Sequence, residues 1–408
     1  MSEISIPIQN DLRPAYYDDF HCLAGDCCWN CCKGWRITFN KKDYLSLKHD
    51  KYSPELNSKM EHSLKRIRMN SPVEGHYAEI HLNESTACPL QREDGLCALQ
   101  VEKGAQALPF VCKIFPRTEC YSISGYFERS LSLACEAVPA LLWDLPDGIY
   151  FSSDPLPESQ MSTINLKADY PMIPYFQQIR SVFIDYLQDR RFPLPDRILM
   201  MGLAIQELMV TEDIPYWLTT AKALPESPNI RQALKINGST NMMQLFITNN
   251  LKLLMRLQST DPESHAIKNE LIGLLKMQAS GTGAQMTVNS MPFLVARERA
   301  AKFFDGHDYF MENVMVSLFF HLHLPILDSP EGLWKSYVNF CNLYSFYRFM
   351  NIFSCREGVS DPKAEFFRLI VMASRALLHN NVQQTRLRDE FFENESTTLA
   401  HMAVLLSE

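Results

Sequence analysis

The sequence predicts a mainly α protein: a small Cys-rich α+β N-terminal domain holding a metal or iron–sulfur centre, followed by a large all-helical domain. Three observations predict it. Ten of the twelve cysteines fall between Cys22 and Cys135, a density that signals a metal, an iron–sulfur cluster or a set of disulfides rather than packing. A Pro-, Ser- and Asp-rich stretch follows and reads as a boundary. Beyond it, apolar residues recur at helical spacing almost to the end. The expected division is residues 1–144, a linker over 145–174, and a helical domain over 175–408.

The elements follow in order. Residues 1–20 are polar and carry a proline, so they read as a partly ordered arm. Trp35–Phe39 and His76–Leu82 read as short strands. Lys42–Arg68 is charged with helical spacing between them. Cys120–Cys135 reads as a hairpin with Ser124-Gly125 as its turn. In the C-terminal half, Phe176, Ile179, Phe183 and Leu187 share a helix face. Ile267, Leu271, Leu274 and Leu275 share another, and Phe366, Ile370, Ala373 and Leu377 a third. Asp261-Pro262-Glu263, Ser329-Pro330-Glu331 and Asp361-Pro362 each place a capping residue before a first-turn proline. Roughly nine or ten helices of common length fit in this half. A Gly-rich loop, Ser280–Gln285, reads most simply as an interhelical connection.

Composition excludes several classes. The net charge of −8 and the lack of a basic stripe argue against nucleic-acid binding. No run of basic residues suggests a membrane surface. Met1–Phe20 has early acids and no apolar segment, so no signal peptide is expected there. The apolar run Val314–Leu327 is broken by His321, His323 and Pro325 and is too short to span a bilayer. A cytoplasmic protein is expected, and in a reducing cytosol disulfides give way to metal or redox chemistry.

The cysteines run Cys22-x4-Cys27-Cys28-x2-Cys31-Cys32, then Cys88, Cys97, Cys112, Cys120 and Cys135. Thiolates bind iron–sulfur clusters or zinc in sets of four. Paired C-x2-C knuckles are missing, which disfavours a zinc ribbon. A C-x3-C-x2-C triplet is also missing, since position 34 is Gly34. Cys341 and Cys355 lie apart in the helical half and read as small buried hydrophobes.

Four segments carry a resemblance: FHCLAGDCCWNCCKGW from Phe20 to Trp35, CPLQREDGLC from Cys88, CKIFPR from Cys112, and ERSLSLAC from Glu128. In order and type they resemble the flagellin lysine-N-methylase family. The resemblance implies a [4Fe-4S] cluster and S-adenosylmethionine. A broader group sharing the Cys-Cys signature is described as zinc- or iron-chelating, so zinc is the alternative. Matched residue by residue, the pattern names Cys22, Cys27, Cys31, Cys32, Cys88, Cys97, Cys112 and Cys135, and leaves out Cys28 and Cys120. One cluster is expected, drawn from a long-range set joining the Cys27–Cys32 loop to Cys88, Cys97 and Cys112.

Methyl transfer to lysine sets its own requirements. The amine, which ordinarily titrates at about 10.4, must lose its proton and its water before it attacks a sulfonium methyl. Trp35, Tyr121, Tyr126 and Phe127 are candidate channel walls, and Glu128 is the candidate proton acceptor or cofactor contact. Arg117 and Arg129 are candidates for the S-adenosylmethionine carboxylate, with Trp35 also at the cofactor. No Gly-x-Gly-x-x-Gly follows a strand, so a Rossmann-type fold is not expected. Tyr337, Tyr344 and Tyr347, with Trp334, Phe340 and Arg348, offer a possible aromatic cage. The implied function is an S-adenosylmethionine-dependent lysine methyltransferase with flagellin as substrate and neither nucleic acid nor membrane as partner. The alternative is a non-enzymatic zinc- or iron-binding adaptor with a helical docking domain. A ligand pocket between the two halves would favour the enzyme, and tight burial there the adaptor.

Overall fold

The computed structural model describes residues 3–68, 75–167, 172–234, 240–257, 262–275, 277–279, 286–378 and 397–406. The Gly-rich segment Ser280–Gln285 and the capping position Asp261 lie outside them. The chain is mainly helical, with a small strand-containing N-terminal region.

The first segment departs from the expected loose arm. Strand β1 (Glu3–Ile8) and strand β2 (Asn10–Pro14) are both paired. Ile8 is buried, as are Leu12, Tyr16 and Tyr17. The polar look of this segment comes from the outward face of its alternation. Strand β3 (Ile37–Phe39), β4 (Leu64–Arg66) and β5 (Ala78–Ile80) form a sheet in the order β3-β5-β4, all antiparallel. Two helices separate β3 from β4. Lys41–His49 starts where Asn40 accepts the Asp43 N–H at 2.8 Å, and Pro54–Ser63 where Ser53 accepts from Leu56.

Strand β6 (Arg117–Tyr121) and β7 (Tyr126–Leu131) make the expected hairpin. Gly125 takes φ +86° in its turn, a conformation glycine adopts at no steric cost. β2 lies parallel to β7 and antiparallel to β8 (Phe151–Ser152), giving a four-stranded sheet β6-β7-β2-β8. β9 (Ser162–Lys167) pairs with β1.

Two cores result. The smaller gathers Ile37, Phe39, Leu47, Leu56, Met60, Ile80 and Leu99, and Cys88 is part of it. The larger joins Tyr16–Trp29 and Leu131–Leu142 to the helices of the C-terminal half. Eleven α-helices are described between Phe176 and Leu406, one of them only four residues long. Ser329 caps Pro330–Phe353 by accepting the Gly332 N–H at 2.9 Å, and Asp361 accepts from Ala364 ahead of Pro362–Leu378. Pro330–Phe353 is buried on most sides and forms the centre of the body.

That burial overturns the aromatic-cage expectation. Tyr337, Phe340, Tyr344 and Tyr347 are all core residues. Tyr347 hydrogen-bonds Ser374 at 2.7 Å, and Trp334 donates to the Thr397 carbonyl. A helical aromatic stripe packs inward because its area is worth more buried than exposed. No helix among the described residues is long and apolar enough to cross a membrane.

Helix Leu194–Leu208 passes so close to the central helix that a Cβ on Gly202 would overlap the Tyr337 hydroxyl and approach Leu399 Cδ1 at 2.7 Å. In an open helix Gly→Ala adds about 1 kcal/mol. Here Gly202→Ala is expected to lose about 1–3 kcal/mol by overpacking, read as a lowered midpoint in urea. A stabilised variant would show that the helices can separate freely.

Candidate functional site

The cysteines of the N-terminal third converge from separated segments. Cys88 is buried in the small core, and Cys32, Cys97 and Cys112 pack against it. The Cys88 N–H donates to the Cys32 carbonyl at 2.7 Å, tying the first cysteine loop to the second. Cys31 lies within electrostatic reach of Cys88, Cys112, Cys27 and Cys135. Cys28 is exposed, and Cys341 and Cys355 are buried in the helical body. Among the described residues, no three His, Cys, Asp or Glu side chains are drawn together tightly enough to hold one ion. The fold nevertheless gathers a soft, all-sulfur donor set from distant loops, which fits thiolate ligation of a cluster.

The protonation of these thiols reports their crowding. Burial pushes Cys88 up to about 11 and Cys135 up to about 12. Burial raises Cys112 too, and Cys31, Cys88 and Cys97 add to it. Cys31 goes the other way, to about 7, through a hydrogen bond from Cys32 that outweighs burial, helped by Arg375. Bringing thiolates together is costly without a positive centre, and a bound metal reverses that sign.

Two side chains outside the cysteine set hold the first loop. Glu136 accepts the Trp29 N–H at 2.9 Å and lies 3.2 Å from Cys27 Sγ. Arg375, from helix Pro362–Leu378, donates to the carbonyls of Trp29 (2.6 Å), Asn30 (3.1 Å) and Ala134 (3.2 Å). Its guanidinium also lies over the rings of Trp29 and Trp35. Trp35 donates its indole N–H to the Cys31 carbonyl at 2.7 Å and meets Phe115 edge-on. Trp35 therefore stands at the cysteine centre.

The hairpin runs from this centre to a second cluster. Glu128, on β7, is 1% exposed. Arg180 donates to it through both terminal nitrogens, at 2.9 and 2.6 Å, and is itself fully buried between the rings of Phe176 and Phe320. Ser124 Oγ and His323 Nδ1 also reach Glu128, the latter at 2.9 Å. Burial alone would raise the Glu128 carboxyl, but His323 and Arg180 hold it down at about 2. Burial alone would lower His323, but hydrogen bonds with Cys120 (3.4 Å) and Glu128 raise it to about 9. His323 has φ +52°, a left-handed conformation that non-glycine residues adopt mainly where the surroundings impose it.

His323 lines a cleft of about 220 Å³ together with Ile123, Phe176, Ile326, Leu327 and Asp328. It is mostly apolar, and Ile123 comes from the hairpin while the others come from the helical half. The volume lies below the roughly 300–1,000 Å³ of pockets that bury a drug-sized ligand, and suits a single extended side chain.

The remaining sequence candidates are placed as follows. Tyr126 is half-buried at the start of β7. Arg117 lies over the rings of Tyr17 and Phe20. Arg129 pairs with Asp11 at 3.0 Å and approaches Glu119 at 3.5 Å. Glu128 reaches the cleft only through His323. Sequence reasoning missed Arg180, His323, Glu136 and Arg375. Arg180 had a visible signal, a lone charge on the apolar face of Phe176–Leu187.

The fold and site thus define a helical protein with an N-terminal thiol centre and a cleft between its two halves. The family described as the FliB lysine N-methylase C-terminal domain matches residues 180–405, and the chain belongs to the lysine N-methylase family that this domain defines. It is 29% identical over 184 residues to a lysine-N-methylase of Salmonella typhimurium, covering 45% of this chain and 42% of the relative's length. It is 32% identical over 153 residues to the flagellar biosynthetic protein FliU of Salmonella muenchen, covering 36% of this chain and 83% of that protein. An uncharacterized protein of Methanocaldococcus jannaschii is 33% identical over 99 residues, 24% of this chain and 29% of its own. No solved structure matches the chain.

Two outcomes follow from the buried pair. Glu128→Ala leaves the Arg180 guanidinium without its counter-charge and is expected to cost about 3–5 kcal/mol in chemical denaturation. A loss near zero would mean that Arg180 finds water in the folded protein. His323 has a raised folded pKa, so its contribution is complete below its unfolded value near 6.5 and fades as pH rises through about 9. Wild-type stability should fall over that window, and His323→Gln should lack this component.

Proposed function

We propose that the chain is an S-adenosylmethionine-dependent protein lysine N-methyltransferase that acts on flagellin in the cytoplasm and holds a [4Fe-4S] cluster through its N-terminal cysteines. The cleft between the hairpin and the helical half carries this reading over a non-enzymatic adaptor. Family membership and the names of the relatives, lysine-N-methylase and a flagellar biosynthetic protein, support the substrate class.

In this reading a flagellin lysine enters the cleft, where Ile123, Phe176, Ile326 and Leu327 strip its water. Desolvation lowers the amine pKa, and the charged His323 lowers it further by like-charge repulsion. Asp328 at the cleft wall gives the departing proton a route to solvent. The neutral nitrogen attacks the sulfonium methyl; the N–C bond forms as the S–C bond breaks, and the sulfonium leaves as a neutral thioether. Glu128 and Arg180 fix His323 rather than meeting substrate. Tyr126 forms part of the channel wall. Arg117 and Arg129 would hold the cofactor carboxylate, for which Arg129 would exchange Asp11 or Glu119. Trp35 would line the cofactor on the cysteine side. Cys32, Cys88, Cys97 and Cys112 would hold the cluster, which when bound supplies a fixed tie among four loops.

Purified anaerobically, the protein is expected to transfer labelled methyl groups from S-adenosylmethionine to flagellin, with a rate that rises with pH as the substrate amine deprotonates. His323→Gln should move that rise to higher pH and slow transfer near neutrality about tenfold, the effect of one pKa unit on the amine. Flagellin binding without any transfer would instead establish the adaptor.

A further inference from the structure

The geometry points to Cys120 as a reactive thiol, activated by His323 and modified at sulfur by hydrogen peroxide to a reversible sulfenic acid. Cys120 stands apart from the thiols assigned to the cluster, and its chemistry is the same with or without methyl transfer.

The strand register builds the group. Cys120 and Glu128 are direct partners across β6 and β7, so their side chains leave the same face of the hairpin. His323 is set between them, with Nε2 at 3.4 Å from Cys120 Sγ and Nδ1 at 2.9 Å from Glu128 Oε2. Against the effect of burial, His323 and Arg180 keep the Glu128 carboxylate ionised, so it can only accept hydrogen bonds. Nδ1 therefore carries the hydrogen of that contact, and Nε2 is the nitrogen left to exchange a proton with the thiol. A nucleophile, a base and a group that orients the base, in that order, is the arrangement that activates a weak nucleophile. Sulfur and carboxylate meet opposite nitrogens of one ring and do not converge on a common point. That agrees with the absence, among the described residues, of any three-ligand set close enough for an ion.

The surroundings favour a charged His323. It follows the last turn of helix Asp308–His321, where the negative end of the helix dipole stabilises a cation. Burial alone would lower the imidazole, and its bonds to Cys120 and Glu128 raise it to about 9. An imidazolium against sulfur favours the thiolate, the nucleophilic form. His321 hydrogen-bonds Ser130 on β7 at 2.9 Å, so the helix end is pinned to the hairpin at two points and the ring is held on Cys120. Cys120 is partly exposed on β6, the outer strand of its sheet, whereas Cys341 and Cys355 are buried. In the reaction the thiol proton passes to Nε2 and Sγ attacks one peroxide oxygen. The S–O bond forms as the O–O bond breaks, and the departing hydroxide takes the proton from Nε2 and leaves as water. Sulfur is oxidised and peroxide reduced, and a thiol reductant restores Cys120.

The test uses the full chain purified without oxygen, labelled with iodoacetamide at pH 7 and digested with trypsin. The peptide Thr118–Arg129 carries Cys120 as its sole cysteine. A free thiol is only a few per cent ionised at neutrality, and a stabilised thiolate is intrinsically somewhat less nucleophilic. The balance gives Cys120 an expected advantage of about tenfold over glutathione, which His323→Gln should remove. Cys341 and Cys355 staying unlabelled verifies that the protein is folded. A wild-type rate at or below that of glutathione overturns the activation even where the variant does not fold, and so does an unchanged rate in a folded His323→Gln protein. Dilute hydrogen peroxide followed by dimedone should then add to the same peptide, and dithiothreitol given before dimedone should abolish the adduct. A Cys120 that takes iodoacetamide but yields no dimedone adduct overturns the peroxide chemistry.

Discussion

The buried pairing of Glu128 with Arg180 is the contact on which the arrangement depends. It joins the hairpin to the first long helix of the C-terminal half at a point where neither side chain meets solvent. An unpaired charge at that depth would be strongly destabilising, so the pair fixes the hairpin's position on the helical body. The hairpin in turn carries Ile123 into the cleft and leads, past its last strand, to Cys135 at the thiol centre. One electrostatic contact therefore sets the geometry of two sites that are far apart in sequence.

Arg375 performs the matching task at the other end. Its three carbonyl contacts reach residues 29, 30 and 134, so the helical half closes over the cysteine loop instead of trailing behind an independent module. The smaller core, by contrast, draws all its members from residues between 32 and 112. A core of that size has little apolar area to spare, and metal ligation at Cys32, Cys88, Cys97 and Cys112 would add what packing alone does not supply. His323 links the two themes. Held by Glu128 and Cys120, it presents one face to the hairpin and another to the cleft.

Much of this was legible in the sequence because local rules govern it. The hairpin around Ser124-Gly125, the short strands near Trp35 and His76, and the capped starts at Pro330 and Pro362 all follow from turn chemistry and periodicity. The thiol concentration was equally plain. The N-terminal strands were not, because β1 pairs with β9 across about 150 intervening residues, and the strands needed for that pairing are polar on one face. The contacts of Arg180, His323 and Arg375 join residues 52, 195 and over 240 positions apart. No short-range pattern encodes such distances. The tyrosines near Trp334 misled for a different reason: a stripe of aromatics looks alike whether it lines a cage or fills a core, and only burial separates the two.

Everything proposed for the reaction requires that substrate lysine meet the methyl donor in the cleft beside His323. Hydrogen exchange of the intact protein with flagellin and S-adenosylhomocysteine, read by mass spectrometry, tests this directly. Slowed exchange at residues 121–126 and 322–328, compared with the free protein, is the predicted result. Flagellin binding that leaves both segments unchanged, with protection confined to other surfaces, would contradict it.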